Sequence, residues 1–261
     1  MVPGSQPAAV TAEALVLRRA GAIALEADHL ALPAGQVTAL VGPNGSGKST
    51  LLHAIAGLLE PAAGKLRVLG EAMPGARSRV AYVLQTTAVA EHLPVTVGEV
   101  VAMARYPRLG LLRRPSTADR QAVTDAVERL ELGDLLRRQV GELSGGQRQR
   151  VFVAQGLAQR AELLLLDEPV SGLDLASADR IRAVVAEERA AGRTVVVATH
   201  DLGEAQAADH LVLLAGRVVA AGVPADALTP RTLAEAYGDR LVRLPGGAVL
   251  LDDGAHHDHG G

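Results

Sequence analysis

Residues 37–50 confine the fold more tightly than any other part of the chain. Val37–Val41 is an unbroken apolar run that feeds directly into Gly42-Pro43-Asn44-Gly45-Ser46-Gly47-Lys48-Ser49-Thr50. Leu51–Leu59 then has helical character and stops near Pro61 and Gly64. Strand, glycine loop and helix in immediate succession make a phosphate cradle. Phosphate oxygens need several converging N–H donors, and glycines let the backbone curl tightly enough to present them. The helix beginning near Lys48 adds the positive end of its dipole. Lys48, one of only two lysines in the chain, is placed to bind β- and γ-phosphates, and Ser49 to offer its hydroxyl to Mg²⁺.

The rest of the chain reads as an α/β core with an insertion. Ahead of the loop, Ala14–Leu17 and Ile23–Leu32 are strands separated by Arg18, Arg19 and Gly21, which predicts an antiparallel hairpin. From about 86 to 159 the pattern turns helical. Val123, Ala126, Val127 and Leu130 repeat at i, i+3, i+4 and i+7 before Gly133, and another helix is expected to run from Ser144 toward Gln159. Buried strands resume at Leu163–Leu166 and Val195–Ala198, with a helix over Ser177–Ala191 between them. Leu211–Ala221 reads as a hairpin turning at Gly216-Arg217. The nucleotide-binding core is expected over about 10–88 and 160–240, and the helical subdomain over about 89–159. The stretch 251–261 is polar, glycine-rich and histidine-rich, and is expected to be disordered.

Two further motifs match what a phosphate loop needs. Leu163-Leu164-Leu165-Leu166-Asp167-Glu168 is a buried strand whose carboxyl end carries two acids. Asp167 would hold magnesium through water, and Glu168, one step on, would polarise an attacking water. Leu143-Ser144-Gly145-Gly146-Gln147 has an N-cap serine and two glycines that expose backbone N–H groups at a helix start. That is a second anion site. One chain does not need two sites for a terminal phosphate, so this one makes sense completing the site of a partner molecule.

Composition removes other classes. With 26 Lys+Arg against 29 Asp+Glu the net charge is −3, so the global basic field of a nucleic-acid binder is missing. Three Tyr, one Phe and no Trp leave no base-stacking platform. No cysteine means no disulfide framework and no thiolate metal site. No apolar run approaches the roughly 20 residues of a bilayer span, and Met1–Pro7 lacks the features of a signal peptide. A cytoplasmic chain is expected, with any membrane segment supplied by another subunit.

At these residues the chain resembles the ATP-binding cassette (ABC) ATPases, over about residues 14–240. Gly42–Thr50 resembles Walker A, Leu163–Asp167 Walker B, and Leu143–Gln147 the family signature. Gln85 stands where the family has its Q-loop glutamine, a ligand of Mg²⁺ and water. Ser171-Gly172-Leu173-Asp174 resembles the D-loop, and His200, after Val195–Thr199, the switch histidine. The resemblance implies a P-loop (RecA-like) α/β core with an N-terminal antiparallel β subdomain and an inserted α-helical signature subdomain. It also implies ATP and Mg²⁺ as cofactors, and a head-to-tail homodimer in which each ATP lies between one Walker A loop and the opposite signature. Lys48, Gln85, Glu168 and His200 carry catalysis in that picture. Gly42 to Thr50, Ser144 to Gln147 and Asp174 bind nucleotide; Ser49, Gln85 and Asp167 hold the metal. The chain would sit on the cytoplasmic face of the membrane against a permease subunit, with an extracytoplasmic metal-binding protein beyond it and no nucleic acid.

The sequence departs from the family in one place. Where an aromatic ring often stacks on adenine, this chain has Arg18, Arg19 and Ala20.

Less specific segments bear on the cargo. Leu93–Val97, Val100–Tyr106, Leu109–Pro115, Gln147–Phe152 and Gln155–Gln159 resemble cassettes of zinc/manganese uptake systems, with iron–siderophore and cobalamin importers sharing part of the pattern; iron–siderophore, haem or cobalamin import is the alternative cargo. A soluble, non-transport ABC ATPase is the remaining alternative. Ala88–Gly110 is expected to be the permease-docking surface. Arg105, Arg108, Arg113 and Arg114 read as a solvated basic face, alternatively one meeting the permease or anionic headgroups. His29 and His53 read as packing or surface residues, and His256-His257-Asp258-His259 as a solvated tail or a weak metal sensor.

Overall fold

Alternating apolar and polar residues ahead of the glycine loop form two long antiparallel strands, β1 (Ala8–Arg19) and β2 (Ala22–Pro33). The computed structural model describes residues 7–84, 94–109, 114–238, 241–243 and 249–251. β1 begins six residues earlier than the alternation suggests. Val10, Ala12, Leu15 and Leu17 all point inward, but the parity changes at Ala14, whose φ of 46° marks a bulge. A bulge shifts the inward face by one residue, so a simple period-2 count loses the first half of the strand.

After β3 (Val37–Val41) and α1 (Lys48–Ile55) the chain forms β4 (Ala63–Val68), β5 (Glu71–Ala72) and β6 (Val80–Val83). The helices α2 (Val97–Met103), α3 (Tyr106–Leu109), α4 (Thr117–Arg129) and α5 (Gly145–Ala158) follow. Then come β7 (Leu163–Asp167), α6 (Leu175–Ala190), β8 (Thr194–Thr199), α7 (Leu202–Gln206), β9 (His210–Leu214) and β10 (Val218–Gly222). The described residues end with α8 (Pro224–Ala227), α9 (Pro230–Tyr237) and a pair, β11 (Leu241–Arg243) and β12 (Val249–Leu251). Leu251, where the tail was expected to start, therefore closes a strand. His256, His257 and His259 lie outside the described residues, as do Gln85 and Arg113.

Two sheets share one core. β2-β1-β4-β5 is antiparallel; β10-β9-β3-β8-β7-β6 is parallel except at the β9–β10 hairpin. Every residue of β3, β7 and β8 is buried, which is why these strands read as continuous apolar runs rather than alternating ones. Leu40, Leu163, Leu165 and Val196 pack on α1 and the antiparallel sheet, while Leu164, Leu166, Val195 and Val197 face α5 and α6. Val41 pairs with Thr199 and Asp167 with Ala198, so β3, β7 and β8 end together. Ligands of open α/β sheets bind at such a shared carboxyl edge.

The basic face expected around Arg105 is corrected by the fold. Arg105 is buried. Its Nε and Nη2 donate to Asp119 Oδ1 at 2.8 and 2.7 Å, and its Nη1 donates to the carbonyls of Ala158 and Gln159, both at 3.0 Å. One guanidinium thus joins the end of α2, the capped start of α4 and the end of α5. Arg114 is exposed as expected.

Candidate nucleotide site

The glycine loop is built by close approach as well as by turn chemistry. Gly42 has φ 156°, and a Cβ there would lie 2.1 Å from the Leu214 carbonyl oxygen of β9. No other residue fits. The loop closes on itself through Ser46 N–H to Pro43 O at 3.1 Å, and it is tied to the β9–β10 turn by Gly216 N–H to Ser46 O at 3.0 Å. Asn44 and Gly45 form its exposed rim. Lys48 is buried with its Nζ donating to Gly42 O at 2.7 Å and Pro43 O at 3.2 Å. Burial lowers its pKa, against the opposing pull of Glu168 and Asp167. Ser46 Oγ is buried with no hydrogen-bond partner among the described residues. An orphaned buried hydroxyl in a glycine-rich loop fits an oxygen-rich ligand such as a phosphate.

Ser49 and Asp167 meet across the end of the sheet, Oγ to Oδ1 at 3.2 Å. The second carboxylate oxygen, Oδ2, accepts from the Tyr82 hydroxyl at 3.1 Å. A serine hydroxyl beside a buried carboxylate is a hard-oxygen donor set, and it fits Mg²⁺ bound partly through water. Among the described residues there is no cluster of three or more His, Asp or Glu suited to hold a metal without such help.

Glu168 turns out of β7 with φ 46°, a left-handed conformation that costs a non-glycine residue on the order of 1–2 kcal/mol. Its N–H remains tied to the Ala198 carbonyl at 2.9 Å, so the turn swings the side chain rather than the strand. His200 approaches from β8, with Nδ1 3.7 Å from Glu168 Oε2. Its neighbours on both sides hold the histidine in place. Asp201 caps α7 through the amides of Gly203 and Glu204, and Thr199 Oγ1 donates to Glu204 Oε2 at 2.8 Å.

The 143–147 segment is elsewhere. Ser144 and Gln147 form a reciprocal capping box at the exposed start of α5, and among the described residues neither bonds to the 42–50 loop. Gly146 is buried against the start of α6, where a Cβ would fall 2.3 Å from Asp174 Oδ2 and 2.5 Å from Ser177 Oγ. Asp174 itself caps α6 by accepting from Ser177 N–H at 2.8 Å. The hydrogen bonds to Ser177 hold its carboxyl below the usual range. Beside it Leu175 is bare, 81% exposed.

The structure therefore brings Gly42 to Thr50, Asp167, Glu168 and His200 together. It sets Ser144 to Gln147 with Asp174 in a separate group. Arg18, Arg19 and Ala20 are all exposed at the β1–β2 turn, and the charge of Arg19 reaches His53 and Tyr82. Tyr82 and His53 are the site residues that sequence reasoning missed. The available signal was the lone polar-tipped ring in the run Val80–Val83; His53 carried none.

The sequence profile of the ABC transporter family matches residues 25–171. The manganese transport system ATP-binding protein MntB of Listeria monocytogenes is 39% identical over 86% of this chain and 94% of its own length. The zinc transport system ATP-binding protein TroB of Treponema pallidum is 43% identical over 80% and 79%. Among solved structures, cbiO1 of Clostridium perfringens, part of the cbiONQ transporter complex, superposes with a TM-score of 0.71 at 26% identity. It covers 87% of this chain and 93% of its own. With its phosphate loop, paired acids and signature segment disposed on that fold, the chain belongs to the ABC transporter family, as an ATP-binding, ATP-hydrolysing cassette.

Proposed function

We propose that this chain is the ATPase subunit of an importer for a divalent first-row metal, zinc first and manganese second. Similarity along most of the chain to cassettes named for manganese and zinc transport carries this reading. Among the described residues no helix is long and apolar enough to cross a membrane, so a separate permease would provide the path, on whose cytoplasmic side the cassette would sit. An extracytoplasmic metal-binding protein would deliver the cargo.

Lys48 and the loop amides bind the β- and γ-phosphates. Ser49 and Asp167, with Gln85, would hold Mg²⁺, which when bound would offset the charge of the phosphate oxygens. Glu168 orients and deprotonates the attacking water, and His200, beside it, donates to the terminal phosphate. Two copies bind head to tail, so that Ser144, Gly145, Gly146 and Gln147 of one complete the site opened by Lys48 of the other. The exposed start of α5 and the bare Leu175 support that pairing.

The test is ATP turnover by the chain reconstituted with its permease and binding protein in lipid. Stimulation by zinc- or manganese-loaded binding protein supports the reading. Stimulation only by an iron chelate would replace the cargo, and turnover coupled to a soluble partner instead would remove the transporter altogether.

A further inference from the structure

The site contains a closed circuit of contacts that nucleotide binding alone does not require. Ser49 Oγ meets Asp167 Oδ1 at 3.2 Å, and Asp167 Oδ2 accepts from the Tyr82 hydroxyl at 3.1 Å. The Tyr82 ring is met edge-on by His53, with centroids 5.6 Å apart and planes at 81°. His53 stands on α1 one turn beyond Ser49, which closes the circuit. α1, β6 and β7 are thereby locked around one carboxylate.

We infer that Tyr82 is a positioning residue for the magnesium–nucleotide complex: its hydroxyl holds Oδ2 of Asp167 so that Oδ1 stays turned toward Ser49 and the metal. This rests on the assignment of Ser49 and Asp167 to Mg²⁺ above. An aspartate at the end of a strand has two equivalent oxygens and a broad terminal torsion. A donor on one oxygen removes that freedom. In β6 the choice of residue is telling. Val80, Ala81 and Val83 are buried and apolar, and Tyr82 pairs with Leu165, two residues before Asp167 on the same face of β7. A phenylalanine would fill the same space. Only the hydroxyl reaches the carboxylate. His53 packs edge-on against the Tyr82 ring from α1. Outer partners of this kind are a general device for orienting metal-holding carboxylates. Tyr82 also stands three positions ahead of Gln85 in the chain, so the strand leading to the Q-loop carries the clamp.

The experiment is a titration of Mg²⁺ against binding of a fluorescent ATP analogue by the full chain, alongside the same titration in Tyr82→Phe and His53→Ala. Tyr82→Phe should leave metal-free binding within about twofold and raise the Mg²⁺ concentration for half-maximal enhancement by roughly tenfold. His53→Ala should move it in the same direction by less. With Mn²⁺ in place of Mg²⁺, the electron paramagnetic resonance spectrum of the nucleotide complex should broaden in Tyr82→Phe, because the metal surroundings are less ordered. A Tyr82→Phe protein with a lowered melting temperature but wild-type Mg²⁺ dependence and Mn²⁺ spectrum would make Tyr82 a packing residue and overturn the inference. If the wild-type chain bound nucleotide equally with and without Mg²⁺, the metal assignment itself would fall, and this inference with it.

Discussion

The carboxyl edge of the central sheet and the helical segment between β6 and β7 are stabilised in different ways. At the sheet edge, the contacts that hold the loop lysine are local. Lys48 is held by carbonyls five and six residues before it, and the loop closes on itself through Ser46 N–H to Pro43 O at 3.1 Å. Among the helices, the deciding contacts join residues far apart in the chain. Arg105 binds Asp119, fourteen positions on, and carbonyls more than fifty positions on; Gly146 is required by Asp174 and Ser177. Chemistry that depends on a rigid local loop survives changes elsewhere, whereas a signal passing through the helices depends on side chains meeting across elements. The helical segment is therefore the part whose integrity can be altered without disturbing the phosphate loop of the same chain.

Breaking the comparison at its strongest point means removing the acid at the sheet edge. Glu168→Gln should lower ATP turnover by about 10²–10³-fold while leaving ATP affinity within about threefold. It should also yield an ATP-dependent dimer on gel filtration. Monomers throughout an ATP titration of that variant would refute the head-to-tail arrangement.

Gly146→Ala tests the junction between the two regions. The added methyl must displace the Asp174 carboxylate from its cap, so a stability loss of about 1–3 kcal/mol is expected. Turnover should drop by roughly tenfold with ATP affinity of the isolated chain within about twofold. Equal losses in affinity and turnover would show that the signature segment and the phosphate loop are one rigid body.

Arg105→Ala should have the smallest effect on nucleotide. ATP affinity should stay within about twofold, while the melting temperature falls by roughly 5–10 °C, because Asp119 is left buried without its cation. The pH dependence gives an independent check. The Ser116 hydroxyl and amide, then the Arg105 guanidinium, hold the Asp119 carboxyl well below the usual carboxylate range. A depressed carboxyl stabilises the fold above its unfolded pKa of about 3.9, and that share is lost as pH falls toward the folded value. Asp119→Asn should accordingly lower stability at neutral pH and flatten the loss below about pH 4. A wild-type acid profile in that variant would show that the pair contributes nothing.

The same division explains which parts of the site are legible beforehand. Gly42 to Thr50, Asp167 and Glu168 announce themselves because each is a local pattern: a glycine loop after an apolar run, a pair of acids after four leucines. Buried parallel strands reveal themselves in the same way, with both faces covered. His53 and Tyr82 do not. One looks like a packing histidine on a helix, the other like a strand residue, and only their meeting at 5.6 Å shows that they share a wall of the site. Arg105 misleads for a related reason: four arginines within ten residues look like a charged surface until one of them finds Asp119. β1 reads too short because a single bulge at Ala14 breaks the alternation on which strand recognition rests.

What the sequence determined by itself is the phosphate chemistry and the order of elements that carries it, because both are written in residues adjacent along the chain, where covalent geometry leaves few choices. The tertiary structure decided which oxygen of Asp167 faces Ser49, which arginine is buried, and where the signature helix starts relative to Asp174. Those outcomes depend on distances between elements. Such distances are set by packing the faces of a sheet and its helices together, which no local pattern encodes.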